Sequence, residues 1–250
     1  MSKDKLKLEV YRDRSEMGKA AAGAVAERII GLLAVKSEIN MVFAAAPSQN
    51  EFLDTLVRNK EIQWERINAF HLDEYIGLSS EAPQGFGNFL RRKLFDKVGF
   101  KSVNYLNGSN GGELMECDRY SKLLGQFPLD IACIGIGENG HLAFNDPPVA
   151  DFHDKSLVKV VELDEVCRKQ QVNDGCFEAL AMVPVRALTL TIPAIMSAEY
   201  IYCMVPGKSK AVAVEKALKG EISEACPASI LRLHEAAELF LDADSATRIV

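Results

Sequence analysis

Residues 129–148 read LDIACIGIGENGHLAFNDPP, an apolar run that passes directly into a glycine-rich turn and then into polar side chains. The run at 129–134 has the length and composition of a buried strand. Three glycines within the next six residues allow the backbone to turn sharply and to come close to a ligand. Open α/β sheets build their sites at the carboxyl ends of strands in this way, so the stretch predicts such a sheet with a site beyond this strand.

Strand-like and helix-like segments alternate along the rest of the chain, which has 250 residues, 48% of them hydrophobic. This alternation predicts one α/β domain over residues 1–250, with a Rossmann-like, largely parallel sheet and helices on both faces. The first helix is expected to have Ser15 as its N-cap. Strand patterns stand at 6–11, 39–46, 64–72, 129–136, 157–163, 187–192, 201–205 and 238–241, and helical patterns at 16–36, 51–59, 87–97, 119–124 and 208–219.

The overall composition limits the classes of binding partner and the cellular compartment that we expect. The net charge is −6 and the basic residues are scattered, which disfavours nucleic acid and anionic membrane surfaces as partners. Six cysteines without a close CxxC pair indicate reduced, buried thiols rather than a disulfide framework or a zinc site. No apolar run approaches the roughly 20 residues of a membrane span, and the charged N-terminus is unlike a signal peptide, so we expect a cytoplasmic protein.

The turn after the strand at 129–134 carries the first candidate site. It delivers Asn139, His141 and Asp146 within eight residues, and a histidine oriented by a carboxylate is suited to general acid–base chemistry. The alternative is a tight turn around a hydrogen-bonded histidine. The GxGxxG spacing is weak evidence for a dinucleotide, because prolines at 147 and 148 break the helix that should follow.

Three further constellations follow other predicted strands. Asp73 and Glu74 end the strand at 64–72, where one carboxylate would face the cleft as a base; the alternative is a solvated strand end. Lys210 lies at a strand-to-helix junction suited to an anion, and the alternative is an exposed basic turn. Ser48, in the loop at 44–50, offers a hydroxyl to a phosphate, although this loop alone reads as a plain connection.

These elements, in this order, resemble the glucosamine-6-phosphate deaminase (isomerase) family. GIGENGHLAFNDPP at 135–148 matches the pattern G-x-G-x-[DN]-G-H-[IL]-[AG]-F-N-E-P, and 70–78 match F-x-x-D-E-Y-x-G-L. Further matches are PQGFGNFL at 83–90, LNG at 106–108 and ECDRY at 116–120, and the similarity spans roughly residues 10 to 240. The related 6-phosphogluconolactonases read D-G-H-x-A-S-L-F-P at the turn, so the FNDP at 144–147 is similar to the deaminases.

The resemblance implies an enzyme that converts glucosamine 6-phosphate and water into fructose 6-phosphate and ammonia, without metal or organic cofactor. It implies that Asp73 moves a proton between C2 and C1, and that His141 opens the sugar ring with Asp146 as its partner and Asn139 beside them. It also implies a substrate-binding set made of Ser48, Gly137, Arg168 and Lys210.

The chain departs from the family pattern in the loop that binds phosphate in the family and in the carboxylate partner of His141. The usual T-G-[GS]-T-P is replaced by AAPSQ at 45–49, which loses a hydroxyl, a glycine and, at Pro47, a backbone donor. Asp146 stands where the family has Glu, and Arg168 is the nearest counterpart of the family's phosphate-binding arginine. Four alternatives stay open: galactosamine 6-phosphate as substrate, a lactonase, a non-catalytic sugar-phosphate sensor, and assembly as a homo-oligomer.

Overall fold

The computed structural model describes residues 5–109 and 111–250. Ten strands in this part of the chain form two sheets, one of seven strands and one of three. The strands are β1 (Lys7–Tyr11), β2 (Ile39–Phe43), β3 (Ile67–His71), β4 (Asp73–Tyr75), β5 (Ser102–Asn104), β6 (Ile131–Ile134), β7 (Val158–Glu162), β8 (Arg186–Leu190), β9 (Tyr200–Val205) and β10 (Ala237–Asp242).

The seven-stranded sheet is parallel throughout and has the order β1-β10-β9-β6-β2-β3-β5. Its registers are regular, with Ile39 opposite Ile67 and Met41 opposite Ile131. Parallel strands must end at the same edge of the sheet, so the loops that follow β2, β3, β6 and β9 converge there. The predicted α/β fold with a largely parallel sheet is therefore confirmed.

Helices cover both faces of this sheet, as predicted. They are α1 (Arg14–Leu33), α2 (Asn50–Leu56), α3 (Phe86–Leu90, continued by a π turn over Arg91–Phe95), α4 (Glu113–Gln126), α5 (Glu165–Asn173), α6 (Ile192–Met196) and α7 (Ala211–Lys219). Met41 and Phe43 of β2 point to the face covered by α1 and α2, whereas Val42 points to the face covered by α4 and α7. This alternation buries both sides of the strand, which is typical of parallel sheets.

The N-cap of α1 was predicted two residues too late. Asp13, not Ser15, has the extended backbone of a cap, and its Oδ1 accepts the N–H of Glu16 at 2.9 Å. Both residue types cap helices well, but only Asp13 places its side chain over the free N–H groups of the first turn.

The segments predicted as strands at 157–163 and 187–192 form a separate antiparallel sheet, in the order β4-β8-β7. Only Leu72 separates β3 from β4, so the chain leaves the parallel sheet and joins the second sheet at once. Asp73, the first residue of β4, pairs with Thr189 of β8. The small sheet therefore holds Asp73 at the carboxyl edge of the large one.

Of the helices in the described ranges, none combines the length and the hydropathy that crossing a membrane requires. All six cysteines are free thiols; five are buried and Cys176 is half-buried. Helix α1 is the longest helix, and its apolar residues face the sheet through Met17, Val25 and Ile29.

Candidate active site

One cavity opens at the edge where the chain leaves β2, β3, β6 and β9. A neighbouring cavity around Arg91 and Tyr105 contains Glu74 but none of the eight predicted site residues. The first cavity brings together five of the eight predicted site residues, which come from four separate loops: Ser48, Asp73, Gly137, His141 and Lys210.

The glycine turn after β6 forms the floor of the cavity. The N–H of Gly137 donates to the carbonyl of His141 at 3.0 Å, so the turn closes on itself directly beneath the imidazole ring. Gly140 has a φ of +91° and Ala143 a φ of +49°, in the left-handed region that side chains disfavour. A Cβ added at Gly137 would lie 2.2 Å from Nε2 of His141, so the ring can occupy this place only above a glycine.

His141, Asp146 and Asn139 form one hydrogen-bonded group. Nδ1 of His141 lies 2.8 Å from Oδ1 of Asp146, and Nδ2 of Asn139 donates to the same oxygen at 2.8 Å. Burial raises the pKa of Asp146, but the hydrogen bonds and charge of His141, followed by the bond from Asn139, outweigh it, so the pKa is below its usual value. A charged Asp146 holds the proton of His141 on Nδ1, which leaves Nε2 available for proton transfer.

Asp73 is 7% exposed, and its carboxylate has no hydrogen-bond partner among the described residues. Burial raises its pKa well above the ordinary value, and the charges of Glu74 and Asp146 raise it further. Glu74 points the other way, where it accepts the backbone N–H groups of Tyr75, Phe86 and Gly87 at 2.9, 3.0 and 2.8 Å. The two side chains thus diverge as the strand pattern predicts, and Asp73 is the one suited to exchange protons.

His71 supports Asp73, although the sequence analysis gave it no role. Its Nδ1 lies 2.9 Å from the carbonyl of Asp73, and its Nε2 accepts the N–H of Leu106 at 2.8 Å. Burial lowers the pKa of His71 to about 4, so near neutral pH the ring is uncharged and Nδ1 donates. The signal in the sequence was a histidine at the end of β3, two positions before Asp73.

Lys210 lines the same cavity and, with Ser48, defines what we call its anion end. It is 6% exposed, and no acceptor lies within bonding distance of its ammonium group among the described residues. Burial lowers its pKa, while the charges of Asp174 and Glu138 oppose that shift. Ser48 lines the same cavity from the turn Pro47–Gln49. A buried ammonium beside a hydroxyl is suited to an anionic ligand.

Two residues of this end were missed from sequence. Arg14 lines the cavity from the start of α1; it forms a bidentate pair with Glu51 at 2.8 and 2.9 Å and donates to the carbonyl of Pro47 at 3.0 Å. Gln171 lines the cavity from α5 and is buried. Neither has a motif, because each reaches the cavity only through the packing of its helix.

The structure corrects the assignment of Arg168 to substrate binding. Helix α5 presents Gln170 and Gln171 to the cavity, whereas the guanidinium of Arg168 donates to the carbonyls of Leu180 and Val183. Arg168 therefore ties α5 to the chain that follows it and does not line the cavity.

Potential metal ligands occur once within the described ranges, where donor atoms of His141, Asp146 and Cys167 lie within 4.8 Å of one another. Oδ1 of Asp146 already receives hydrogen bonds from His141 and Asn139. The arrangement therefore fits a proton relay in which the carboxylate orients the imidazole.

The sequence is similar to known proteins over most of its length. The model of the glucosamine-6-phosphate isomerase/6-phosphogluconolactonase family matches residues 12–240. A glucosamine-6-phosphate deaminase of Bacillus cytotoxicus is 37% identical over 189 residues, which cover 76% of this chain and 70% of that protein. One of Clostridium acetobutylicum is 32% identical over 245 residues, which cover 96% of this chain and 99% of that protein.

Solved structures show the same arrangement. A monomeric glucosamine-6-phosphate deaminase superposes with a TM-score of 0.88 at 32% identity, covering 97% of this chain and all of that one. A 6-phosphogluconolactonase of Thermotoga maritima superposes with a TM-score of 0.78 at 20% identity, covering 95% of this chain and all of that one, so this likeness concerns the fold alone.

Proposed function

Because this chain belongs to the glucosamine-6-phosphate isomerase/6-phosphogluconolactonase family, we propose that it converts glucosamine 6-phosphate and water into fructose 6-phosphate and ammonia. The observation that carries this proposal is one cavity lined by both an acid–base pair and a buried ammonium. Asp73 and His141 provide the first, and Lys210 the second. Relatives that span nearly the whole chain carry the deaminase name, which supports the same reaction.

The reaction begins when the sugar ring opens. Nε2 of His141 accepts the proton of the C1 hydroxyl and delivers it to the ring oxygen as the C1–O5 bond breaks, so that C1 becomes the aldehyde. Asp146 holds Nδ1 and stabilises the positive charge that the ring carries between the two transfers, because its carboxylate stays ionised beside the ring. Asn139 holds the same carboxylate oxygen, so it positions the pair rather than reacting.

The isomerisation is a proton transfer between neighbouring carbons. The Asp73 carboxylate removes the proton from C2 while a proton of the substrate's ammonium group moves to O1, which gives an enolamine. Return of the proton from Asp73 to C1 turns the enolamine into an iminium at C2. Water adds at C2 and passes one proton to the nitrogen. The C2–N bond then breaks as the new hydroxyl gives up its proton to the departing ammonia, so the water oxygen becomes the ketone oxygen. Burial raises the pKa of Asp73, which suits a group that must accept and then return one proton.

Lys210 and Ser48 bind the phosphate in this proposal, with Gly137 contributing to the floor of the cavity. Anchoring the phosphate fixes the reacting carbons relative to Asp73, which lowers the entropy lost at the transition state. Arg14 and Gln171 line the same end and stand in place of donors that the loop at 45–49 lacks.

We also propose that residues 1–250 act as one domain in the cytoplasm, where the thiols remain reduced. Pairing of β1 with β10 joins the two ends of the described chain in one sheet, which supports the single domain. A homo-oligomer remains a prediction that light scattering of the purified protein would test.

The proposal is tested by ammonia release from glucosamine 6-phosphate and from galactosamine 6-phosphate, assayed side by side with hydrolysis of 6-phosphogluconolactone. Release from the glucosamine compound is expected. Release only from the galactosamine compound would assign galactosamine 6-phosphate as the substrate. Lactone hydrolysis alone would identify the protein as a lactonase. Tight binding of the sugar phosphates without any turnover would indicate a sensor.

Replacing Gly137 with alanine is expected to lower kcat/KM for ammonia release about 100-fold, because the new Cβ displaces the imidazole ring. The fold should survive, since the clash is with a side chain. Gly23→Ala in α1 is the matched control, because its Cβ meets nothing within 4 Å. A Gly137→Ala enzyme with the rate of the Gly23→Ala enzyme would show that the ring position is unimportant.

A further inference from the structure

One oxygen of the relay lacks a donor. Oδ1 of Asp146 receives two hydrogen bonds, but the buried Oδ2 accepts none of normal geometry among the described residues. Asp146 is 1% exposed, so bulk water does not supply the missing donor. Native structures rarely leave a buried carboxylate oxygen unsatisfied, because its desolvation is not compensated.

The thiol of Cys167 lies beside this carboxylate. Its Sγ, a carboxylate oxygen of Asp146 and a ring nitrogen of His141 lie within 4.8 Å of one another. Cys167 stands on α5 and is 1% exposed. The helix is fixed against the glycine turn, since the N–H of Glu138 donates to Oε1 of Gln170 at 2.7 Å. The sulfur therefore faces the relay because of the fold, not by chance rotation of a surface side chain.

The surroundings keep Cys167 protonated. Burial raises the pKa of the thiol, and the negative charge of Asp146 raises it further, as do the more distant Asp73 and Asp164. Tyr75, whose buried hydroxyl has no hydrogen-bond partner in the described structure, interacts electrostatically with this thiol. A group that stays S–H throughout the working pH range can act as a donor.

We propose that Cys167 is a positioning residue of the relay: its S–H donates to Oδ2 of Asp146 and so holds Oδ1 toward Nδ1 of His141. Asp146 is one methylene shorter than the glutamate of the family pattern, so its carboxylate needs a further hydrogen bond to stay oriented toward His141. The activity readout below rests on the proposed function, whereas the hydrogen bond itself does not.

Infrared spectroscopy of the intact protein tests the hydrogen bond directly. The S–H band of Cys167 is obtained by subtracting the spectrum of Cys167→Ala from that of the unmodified protein. The matched control is Cys203, which is fully buried and whose pKa is raised by burial alone. The Cys167 band is expected at lower frequency than the Cys203 band, as for a thiol bonded to a carboxylate. Coincident bands would overturn the proposal.

The second test is the kinetics of ammonia release, with kcat and KM measured separately. Cys167→Ala is expected to lower kcat about tenfold with little change in KM, because Asp146 without its donor holds the imidazole of His141 less firmly. Cys167→Ser restores a donor and should return kcat toward that of the unmodified enzyme. Cys203→Ala removes a buried thiol whose pKa is raised by burial alone, and it should leave kcat unchanged.

Two outcomes of the kinetic test would overturn the positioning role: an unchanged kcat in Cys167→Ala, or serine behaving as alanine does. Thermal melting of each variant separates loss of folding from loss of positioning. If the unmodified protein releases no ammonia from any substrate, the proposed function fails, and the infrared comparison still decides whether the thiol bonds to Asp146.

Discussion

The Asp73→Asn variant is expected to lose C2 proton exchange by about 10²- to 10⁴-fold, because an amide cannot accept the proton that the reaction moves. Incubating the enzyme with glucosamine 6-phosphate in D₂O measures this step separately from ammonia release. Substrate affinity should change little, since Asp73 does not contact the anion end. Asparagine also removes a buried carboxyl without a partner, so the fold should be at least as stable as before.

The pH dependence of the unmodified enzyme reports the same residue. The base form of Asp73 is active, and burial together with Glu74 and Asp146 raises its pKa. The acid limb of kcat/KM should therefore lie above the range of an ordinary aspartate, with activity lost as pH falls through the raised pKa.

Glu74→Gln is the matched control, because it removes the adjacent carboxylate, which accepts hydrogen bonds from the backbone N–H groups of Phe86 and Gly87. It should weaken the fold near α3 while C2 exchange remains within tenfold of the unmodified rate. An Asp73→Asn enzyme that still exchanges as fast as Glu74→Gln would transfer the role of base to another residue.

The second large effect is expected at the anion end. Lys210→Met keeps the length of the side chain and removes its charge, so kcat/KM for the phosphorylated sugar should fall about 10²- to 10³-fold, mainly through KM. Unphosphorylated glucosamine has no phosphate for Lys210 to bind, so any turnover of it should be equal in the variant and the unmodified enzyme. The comparison of the two sugars assigns the loss to the phosphate.

Lys208→Met controls for the change in net charge, because Lys208 lies in the same turn and is exposed. It should leave KM within about twofold. Equal effects of the two substitutions would mean that the phosphate responds to the general field of this turn and is not bound by the buried ammonium.

Local patterns predicted the parts of the fold and site that depend on neighbouring residues. The apolar run at 129–134 became β6, and the glycine turn placed His141 against Asp146, only five residues away. The family resemblance rests on that turn and is confirmed by the matching family model and by relatives at 32–37% identity.

The missed features of the site depend on packing between distant segments. The pairing of Asp73 with Thr189, which belongs to the second sheet, is not indicated by the local sequence of either strand. Arg14 and Gln171 line the cavity because of the orientation of α1 and α5. The orientation of α5 also places Arg168 outside the cavity. His71 gains its role from two backbone groups that only the folded chain brings together.

The order of strands in the large sheet also bears on how the protein is made. β1 is synthesised before the other strands, yet its only neighbour in the described sheet is β10, which leaves the ribosome after all the others. A nascent chain that ends before β10 must therefore keep β1 unpaired and leave an edge of β9 open. Long-range pairing of this kind is slow and exposes apolar surface meanwhile, so activity should emerge only once β10 has left the ribosome, and chaperones should bind the incomplete chain.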